Sequence, residues 1–269
     1  MDGKPNCPKR FHWAAWAFSL VLFFAGAPTN AGVLSTSDVL SRTGQSIEAW
    51  GAAWWQWAFV HPEVLGDTTG EFGHLGNVGG PVFFAEGSSV GTVNLSYTVP
   101  GNQFILLPVA TYVWTLFDPC AAVACAADIV NSFVDGITHP FASIDGVALP
   151  DLASHLVRVD HGAPFVFKVD AGPIGPDGYG GILDAVQGGI WLMLEPLSSG
   201  MHTVTFGATV PIIDPFTGEV LDGSIDLEAR LQLTSVPEPP SAMLLCMGVL
   251  ALAFGRRSRK SRADAASIP

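Results

Sequence analysis

The residues that could carry out chemistry form no complete catalytic motif in this chain. Residues 87–91 read GSSVG and match the G-x-S-x-G pattern of serine hydrolases. A nucleophile of that kind needs a strand followed by a helix, whereas this segment joins two predicted strands. His155, Asp160 and His161 carry metal-binding side chains, but their segment is predicted to be a strand with a solvated turn. We therefore predict no catalytic residue, no metal and no cofactor, and we do not expect an enzyme.

Carboxylates are too abundant to single out one acid and base pair. Four of them lie close together, namely Asp214, Glu219, Asp222 and Asp226. Their spacing does not fit an EF-hand calcium loop, so a solvated hairpin is the prediction. Two acids in a deep cleft, or a serine beside a histidine, would instead favour a secreted hydrolase acting on a glycan or an ester.

Two cysteines, Cys120 and Cys125, lie close together in the sequence CAAVAC. In an oxidising compartment a lone close pair is most simply a disulfide. Closing such a short ring stabilises the fold by about 2 kcal/mol through chain entropy. A redox-active pair is disfavoured because four residues separate the cysteines, rather than the two of a C-x-x-C motif.

Tryptophans form the one interior feature that could bind a ligand. Trp50, Trp54 and Trp57 recur at intervals of three and four, which places them on one stripe of a helix. Exposed rings on such a stripe could stack on sugars, whereas buried rings would pack the helix on a sheet. Core packing is the favoured prediction, and ligand stacking stays open as the alternative.

The elements that must hold these residues are mostly strands. A helical pattern covers residues 35–61, and a shorter helix is predicted at 128–134. Predicted strands cover residues 82–85, 92–99, 103–116, 155–160, 165–169, 190–195, 202–210 and 224–234. Asp-Gly turns punctuate them. We predict a mainly β fold, an antiparallel β-sandwich or jelly-roll-like domain with an N-terminal Trp-rich helix, as one domain over residues 32–235.

The C-terminal segment 236–262 has three consecutive parts. It begins with the sequence VPEPPS and continues with an uncharged apolar segment, residues 242–255. It ends in a basic cluster: Arg256, Arg257, Arg259, Lys260 and Arg262. As a helix, the apolar segment would cover about 21 Å, which is short against roughly 30 Å of membrane hydrocarbon. We predict a transient transmembrane helix stopped by the basic cluster on the cytoplasmic side, in preference to a buried core helix.

This order of parts resembles a PEP-CTERM sorting signal, a bacterial C-terminal tag that is processed by a membrane-embedded cysteine transpeptidase called exosortase. The resemblance implies that Pro237, Glu238 and Pro239 are the sorting motif. It also implies that the tail is removed or exchanged after export. The extension at residues 263–269 departs from the pattern, because such tails usually stop soon after the arginines.

The N-terminal segment 1–31 is predicted to be a signal peptide. Lys4, Lys9 and Arg10 precede an apolar stretch, and Ala31 is a small residue suited to cleavage. The expected partners are the Sec translocon and signal peptidase, and an uncleaved anchor is the alternative. The chain is thus predicted to be exported, to sit transiently in the inner membrane, and then to reach the cell surface or the extracellular matrix.

The domain between the two segments is strongly acidic. Residues 32–235 hold four basic and 21 acidic residues, a net charge of about −17. Such a surface repels nucleic acid and anionic lipid. Nucleic acid is therefore excluded as a partner.

Several short motifs in the domain resemble a family of secreted bacterial proteins that has no established activity. They are WWQWA at residues 54–58, DTTG at 67–70, GPVFF at 80–84, GIWLML at 189–194 and PLSSGMHTV at 196–204. The resemblance implies a common secreted fold and supplies no catalytic residues. The expected function is a non-enzymatic structural or binding module of unknown ligand, associated with extracellular polysaccharide.

Overall fold

A computed structural model describes residues 32–116, 120–172 and 180–237. The described chain contains three α-helices: α1 (Thr36–Thr43), α2 (Ile47–Val60) and α3 (Val123–Asp135). Short 3-10 helices lie at Pro62–Leu65, Gly73–Gly76 and Leu152–His155. The strands are β1 (Val82–Phe84), β2 (Thr92–Pro100), β3 (Phe104–Thr115), β4 (Thr138–Ile144), β5 (Val147–Ala148), β6 (Leu156–Val157), β7 (Phe167–Asp170), β8 (Ile182–Leu194), β9 (Gly200–Ile213) and β10 (Val220–Val236).

The strands form two five-stranded sheets. The first has the order β1-β3-β8-β6, with β7 also pairing with β8, and the second has the order β2-β10-β9-β4-β5. The prediction of a mainly β fold is confirmed, but the sheets are mixed, because β1 runs parallel to β3 and β2 runs parallel to β10. After β1 the chain crosses to the second sheet as β2 and returns as β3, and this crossover permits the parallel pairing.

Alternating side chains from both sheets form the core between them. In β2, every second residue from Val93 to Val99 is buried, as expected for a strand with one face in a core. Ile105 and Leu107 of the first sheet belong to the same buried cluster as Leu231 and Leu233 of the second. The two sheets therefore pack face to face, as in a sandwich.

Helix α2 covers the outer face of the first sheet. Its tryptophans pack in one buried cluster with Phe84, Leu106 and Trp191. The prediction of one continuous helix over residues 35–61 is wrong in one respect, because the helix is interrupted between α1 and α2. Gly44 takes a left-handed conformation (φ 83°) at the end of α1, and the Ser46 side chain accepts a hydrogen bond from Ala49 N–H at the start of α2.

Several other elements differ from their predicted bounds, among them α3, β6 and β8. Helix α3 is longer than the predicted 128–134, and the predicted strand at 155–160 is reduced to β6 after a 3-10 turn. Strand β8 begins eight residues before the predicted 190. Gly189 weakens the strand pattern there, but a Cβ at this position would lie 2.2 Å from the carbonyl oxygen of Ala110. Only glycine allows β3 and β8 to approach this closely.

Neither chain end is included in the described part of the structure. The predicted signal peptide and the apolar segment 242–255 both lie outside it, as do residues 238 onwards of the tail. Among the residues that are described, no helix has the length and apolar character needed to cross a membrane.

Candidate functional site

The last strand of the described chain ends at the start of the predicted sorting segment. Strand β10 pairs with β2 as far as Val236, opposite Pro100, and Gly101 N–H donates to the Val236 carbonyl at 2.8 Å. The buried hydroxyl of Ser235 donates to the Leu197 carbonyl at 3.1 Å. Pro237 follows, and it has no amide with which to extend the ladder. The sorting segment is therefore attached to a firmly hydrogen-bonded strand.

The N-terminal end of the domain lies at the same end of the sandwich. Glu195 N–H, just after β8, donates to the Gly32 carbonyl at 2.8 Å, and Val33 forms a bridge with Leu194. The short turn after β8 leads into Gly200, which pairs with Ser235. We call this end of the sandwich, which holds Gly32, Gly101, the β8–β9 turn and Val236, the exit end. The opposite end, which holds the β9–β10 turn, is the distal end.

A serine, a histidine and an aspartate meet beside the exit end. His202 Nδ1 lies 2.8 Å from Asp145 Oδ2, and its Nε2 lies 3.1 Å from Ser198 Oγ. These distances resemble those of a catalytic triad. However, Nε2 also lies 2.9 Å from the Ser198 carbonyl oxygen, which can only accept a hydrogen bond. His202 Nε2 is thus shared between the hydroxyl and the carbonyl oxygen of Ser198, and it is not aimed at the hydroxyl alone.

Asp145 links the β4–β5 turn to the start of β9, and we call this Asp145–His202 contact the clamp. Asp145 occupies the β4–β5 turn with a positive φ of 51°. Its Oδ1 accepts from Thr203 N–H at 2.8 Å. Burial works to raise the pKa of Asp145, but hydrogen bonds from His202 and Thr203 outweigh it and hold the pKa below its usual value. The Asp-Gly turn was predicted from the sequence, but its pairing with His202 was not.

A second polar group is buried near the middle of the sandwich. Glu86 is 0% exposed, and neither of its carboxyl oxygens has a hydrogen-bond partner among the described residues. Burial, with the neighbouring carboxylate of Asp67, raises the pKa of Glu86 to about 8. Its backbone N–H donates to the Tyr97 hydroxyl at 3.3 Å. Glu86 is therefore mostly protonated at neutral pH.

Asp67 is the neighbouring carboxylate that acts on the pKa of Glu86. Its carboxylate accepts hydrogen bonds from the backbone N–H groups of Thr69, Gly70 and Phe72. Burial works to raise the pKa of Asp67, but these hydrogen bonds hold it below its usual value. A protonated acid beside an ionised one also occurs in acid–base catalysis. Here both side chains are buried, so a substrate cannot reach them, and the arrangement is structural.

The three tryptophans for which ligand stacking was the alternative are core residues. Trp50, Trp54 and Trp57 are 7%, 3% and 6% exposed. Each indole N–H donates internally: Trp50 to Thr43 Oγ1, Trp54 to the Ala85 carbonyl and Trp57 to the Leu75 carbonyl. Rings with buried faces and satisfied N–H groups cannot stack on a sugar. These side chains therefore pack in the core, and they do not form a ligand-stacking surface.

The two domain cysteines lie next to each other. The Cα atoms of Cys120 and Cys125 are 5.6 Å apart, and their sulfur atoms are in contact. This spacing is within the range of protein disulfides. Cys120 is buried with residues of α3, so a bond here would join the start of that helix to the loop before it. The geometry supports the predicted disulfide.

The remaining candidate motifs do not form sites. Residues 87–91 connect β1 to β2, and Ser89 Oγ donates to the Leu65 carbonyl, so no nucleophile elbow is present in this segment. Asp160 and His161 line an open polar depression beside α3. The described residues contain no group of three or more His, Cys, Asp or Glu side chains arranged to hold a metal ion.

An apolar cavity of about 270 Å³ lies between α2, β3 and β10. Its walls include Trp55, Pro108, Ile225 and Leu227. Small-molecule sites are usually larger, at roughly 300–1,000 Å³, and contain several converging polar groups. This cavity therefore gives no argument for a ligand.

The comparison with known families identifies the C-terminal segment. Residues 235–260 match the profile of the PEP-CTERM protein-sorting motif. The chain carries a PEP-CTERM sorting motif. The motif begins one residue before the last residue of β10, and the residue pattern of the tail alone was sufficient to predict it. The extension at 263–269 lies outside the match.

The PEP-CTERM motif marks a protein that is exported and sorted by an exosortase-type system. No curated protein and no solved structure matches the chain significantly. The likeness of the domain to secreted proteins with a WWQWA motif stays a prediction.

Proposed function

We propose that this chain is a bacterial cell-surface or extracellular-matrix protein, delivered by an exosortase-type system that recognises Pro237, Glu238 and Pro239. The match of residues 235–260 to the PEP-CTERM motif is the observation that carries the proposal. The end of β10 at Val236 supports it, because Pro237, Glu238 and Pro239 directly follow this last strand in the sequence. Export proceeds through the Sec translocon, and signal peptidase removes residues 1–31.

The delivered domain acts as a structural or binding module and not as an enzyme. The two polar groups best placed for chemistry support this role. Asp67 and Glu86 are buried, and His202 is held between Asp145 and the Ser198 carbonyl. Its partner in the matrix is polysaccharide, although the buried tryptophans are not the contact surface.

One observation favours a different function, a secreted hydrolase. Ser198, His202 and Asp145 have the spacing of a nucleophile, a base and an orienting acid. A serine-directed fluorophosphonate probe tests this function, with mass spectrometry to locate the label. We expect no label on Ser198. Labelling of Ser198 that is lost in His202→Ala would show that the triad is active and that the domain is an enzyme.

The sorting function is tested by changing the motif in the native host. The triple variant Pro237→Ala, Glu238→Ala, Pro239→Ala keeps the apolar segment and the basic cluster. We expect it to accumulate in the membrane as an unprocessed chain, while the unmodified protein reaches the surface or the medium. A chain lacking only residues 263–269, which lie outside the match, is the control and should be sorted normally. Normal sorting of the triple variant would contradict the proposal.

A further inference from the structure

The exit end of the sandwich is the part of the domain closest to the tail. Val236 and Gly32 both lie there, so the domain is joined at one end to the predicted signal peptide and to the sorting segment. Five residues, 237–241, separate β10 from the apolar segment at 242. Fully extended, five residues cover about 18 Å. While the apolar segment is in a membrane, the exit end is held within about 18 Å of it.

Apolar side chains are exposed at both ends of the sandwich: Phe216 and Val220 at the distal end, and Met201 and Val236 at the exit end. Met201 is 73% exposed and Val236 is 42% exposed. Met201 pairs with Thr234, two residues before Val236, on the outer face of the second sheet. Diagonal neighbours of this kind lie roughly 7–8 Å apart. They form a small apolar patch on the strand that leads into the tail.

Charge differs between the two ends of the sandwich. At the exit end, Glu195 forms an ion pair with Arg42, and Asp145 binds His202. At the distal end, Asp214, Glu219 and Asp222 lie together in and next to the β9–β10 turn. An anionic membrane surface repels carboxylates. Such a membrane therefore repels the distal end more strongly than the exit end, where these two acids are paired.

We infer that the exit end docks on the lipid surface of the membrane that holds the tail, with Met201 and Val236 in the headgroup region. The contact is brief, because it depends on the short tether and ends when the tail is removed. One apolar pair is too small to bind lipid on its own, and the tether supplies the proximity. This inference rests on the proposed sorting function.

A photoreactive phenylalanine analogue tests the contact directly. It replaces Met201 in the full-length chain, which is reconstituted into vesicles of phosphatidylethanolamine and phosphatidylglycerol. The matched control carries the analogue in place of Phe216, which is 66% exposed at the distal end. After illumination, we expect lipid adducts at position 201 and about tenfold fewer at 216, as expected for a residue held away from the headgroups. Equal yields at the two positions would overturn the inference.

A second experiment places the same two chains in membranes from the native host and asks whether position 201 crosslinks to lipid or to a membrane protein. Lipid adducts at position 201 support the inference, whereas adducts mainly with a membrane protein would overturn it in favour of contact with the processing enzyme. The membrane fraction of the unprocessed chain is measured in parallel. A chain absent from that fraction would contradict the sorting function itself, and the inference with it. A membrane-held chain without adducts at 201 would overturn only the docking.

Discussion

The two halves of β10 are held very differently. In the exit half, residues 228–236, the strand lies between β9 and β2, and alternate side chains from Ala229 to Ser235 are buried. In the distal half, residues 220–227, β10 pairs with β9, and the side chains are exposed except for the partly buried Leu227. Stability is thus concentrated next to the sorting motif. The sorting motif is attached to the half of β10 that is paired on both sides and partly buried.

The same contrast extends to the neighbouring polar groups. His202 lies opposite Leu233 in the exit half, and Tyr97, whose hydroxyl receives the Glu86 N–H, pairs with Leu233 on the other side. In the distal half, the hydroxyl of Thr209 donates to Asp226 at an exposed site. The His202 ring and Tyr97 in the exit half are therefore less exposed than the Thr209–Asp226 pair in the distal half. Equivalent substitutions in the two halves should therefore have unequal effects.

The largest difference is expected for leucines in the two halves. Leu233 is 0% exposed, whereas Leu221 is 43% exposed. Leu233→Ala should lower the free energy of unfolding by about 2–5 kcal/mol, because it leaves a cavity between the sheets. Leu221→Ala should change it by less than about 0.5 kcal/mol. Urea titration of both variants measures this, and similar losses would remove the distinction between the halves.

The next largest effect is expected from the pH dependence of Glu86. Its pKa is about 8 in the folded protein, against an ordinary value of 4.5. Below pH 4.5 the acid is protonated in both states. Between pH 4.5 and 8 the unfolded chain releases the proton, so folding stability falls as pH rises, by up to about 1.4 kcal/mol per pH unit. Above pH 8 this contribution levels off.

Glu86→Gln removes the titration and keeps the shape of the side chain. Its unfolding free energy should therefore change less steeply between pH 5 and 8 than that of the unmodified protein, as measured by urea titration across this range. Asp222→Asn, at an exposed position in the distal half, is the control and should keep the original slope. A slope unchanged by Glu86→Gln would show that Glu86 is ionised when buried.

Much of this fold follows from sequence patterns, whereas the contacts between distant segments do not. Strand β2 was predicted to within one residue of its C-terminal end because its buried and exposed residues alternate regularly. The Trp-rich helix was predicted because its tryptophans recur at helical spacing. Strand β4 was missed because His139 and Pro140 interrupt its pattern. The Asp145–His202 clamp joins residues 57 positions apart, and no local pattern records such a pairing. The sorting motif was predicted because its signal is entirely local.

A smaller effect is expected from the clamp. His202→Ala removes the hydrogen bonds that the ring, which is 15% exposed, makes to Asp145 and to Ser198, and should cost about 1 kcal/mol. Asp226→Ala, which removes the exposed bond to Thr209, should cost less than about 0.5 kcal/mol. Thermal unfolding of the two variants at one pH gives the values. An equal loss in both would indicate that the exit end is no better held than the distal end.

The smallest effect is expected from surface ion pairs. Arg42 pairs with Glu195 at the exit end, and Lys168 pairs with Asp184 nearer the distal end, and all four side chains are substantially exposed. Arg42→Ala and Lys168→Ala should each cost less than about 1 kcal/mol, and added salt should reduce the cost further. Unfolding titrations at low and high salt measure this. A large, salt-independent loss of unfolding free energy in Arg42→Ala would show that this ion pair stabilises the fold more than an exposed pair does.

The intact mass of the protein isolated from its native host tests the removable tail most directly. We predict a chain that begins at Gly32 and ends near Pro239, directly beyond the exit half of β10. Its mass should be two units below that of the reduced chain, because Cys120 and Cys125 form one disulfide. An intact chain ending at Pro269 would contradict removal of the tail, and with it the delivery of residues 32–235 as a free domain.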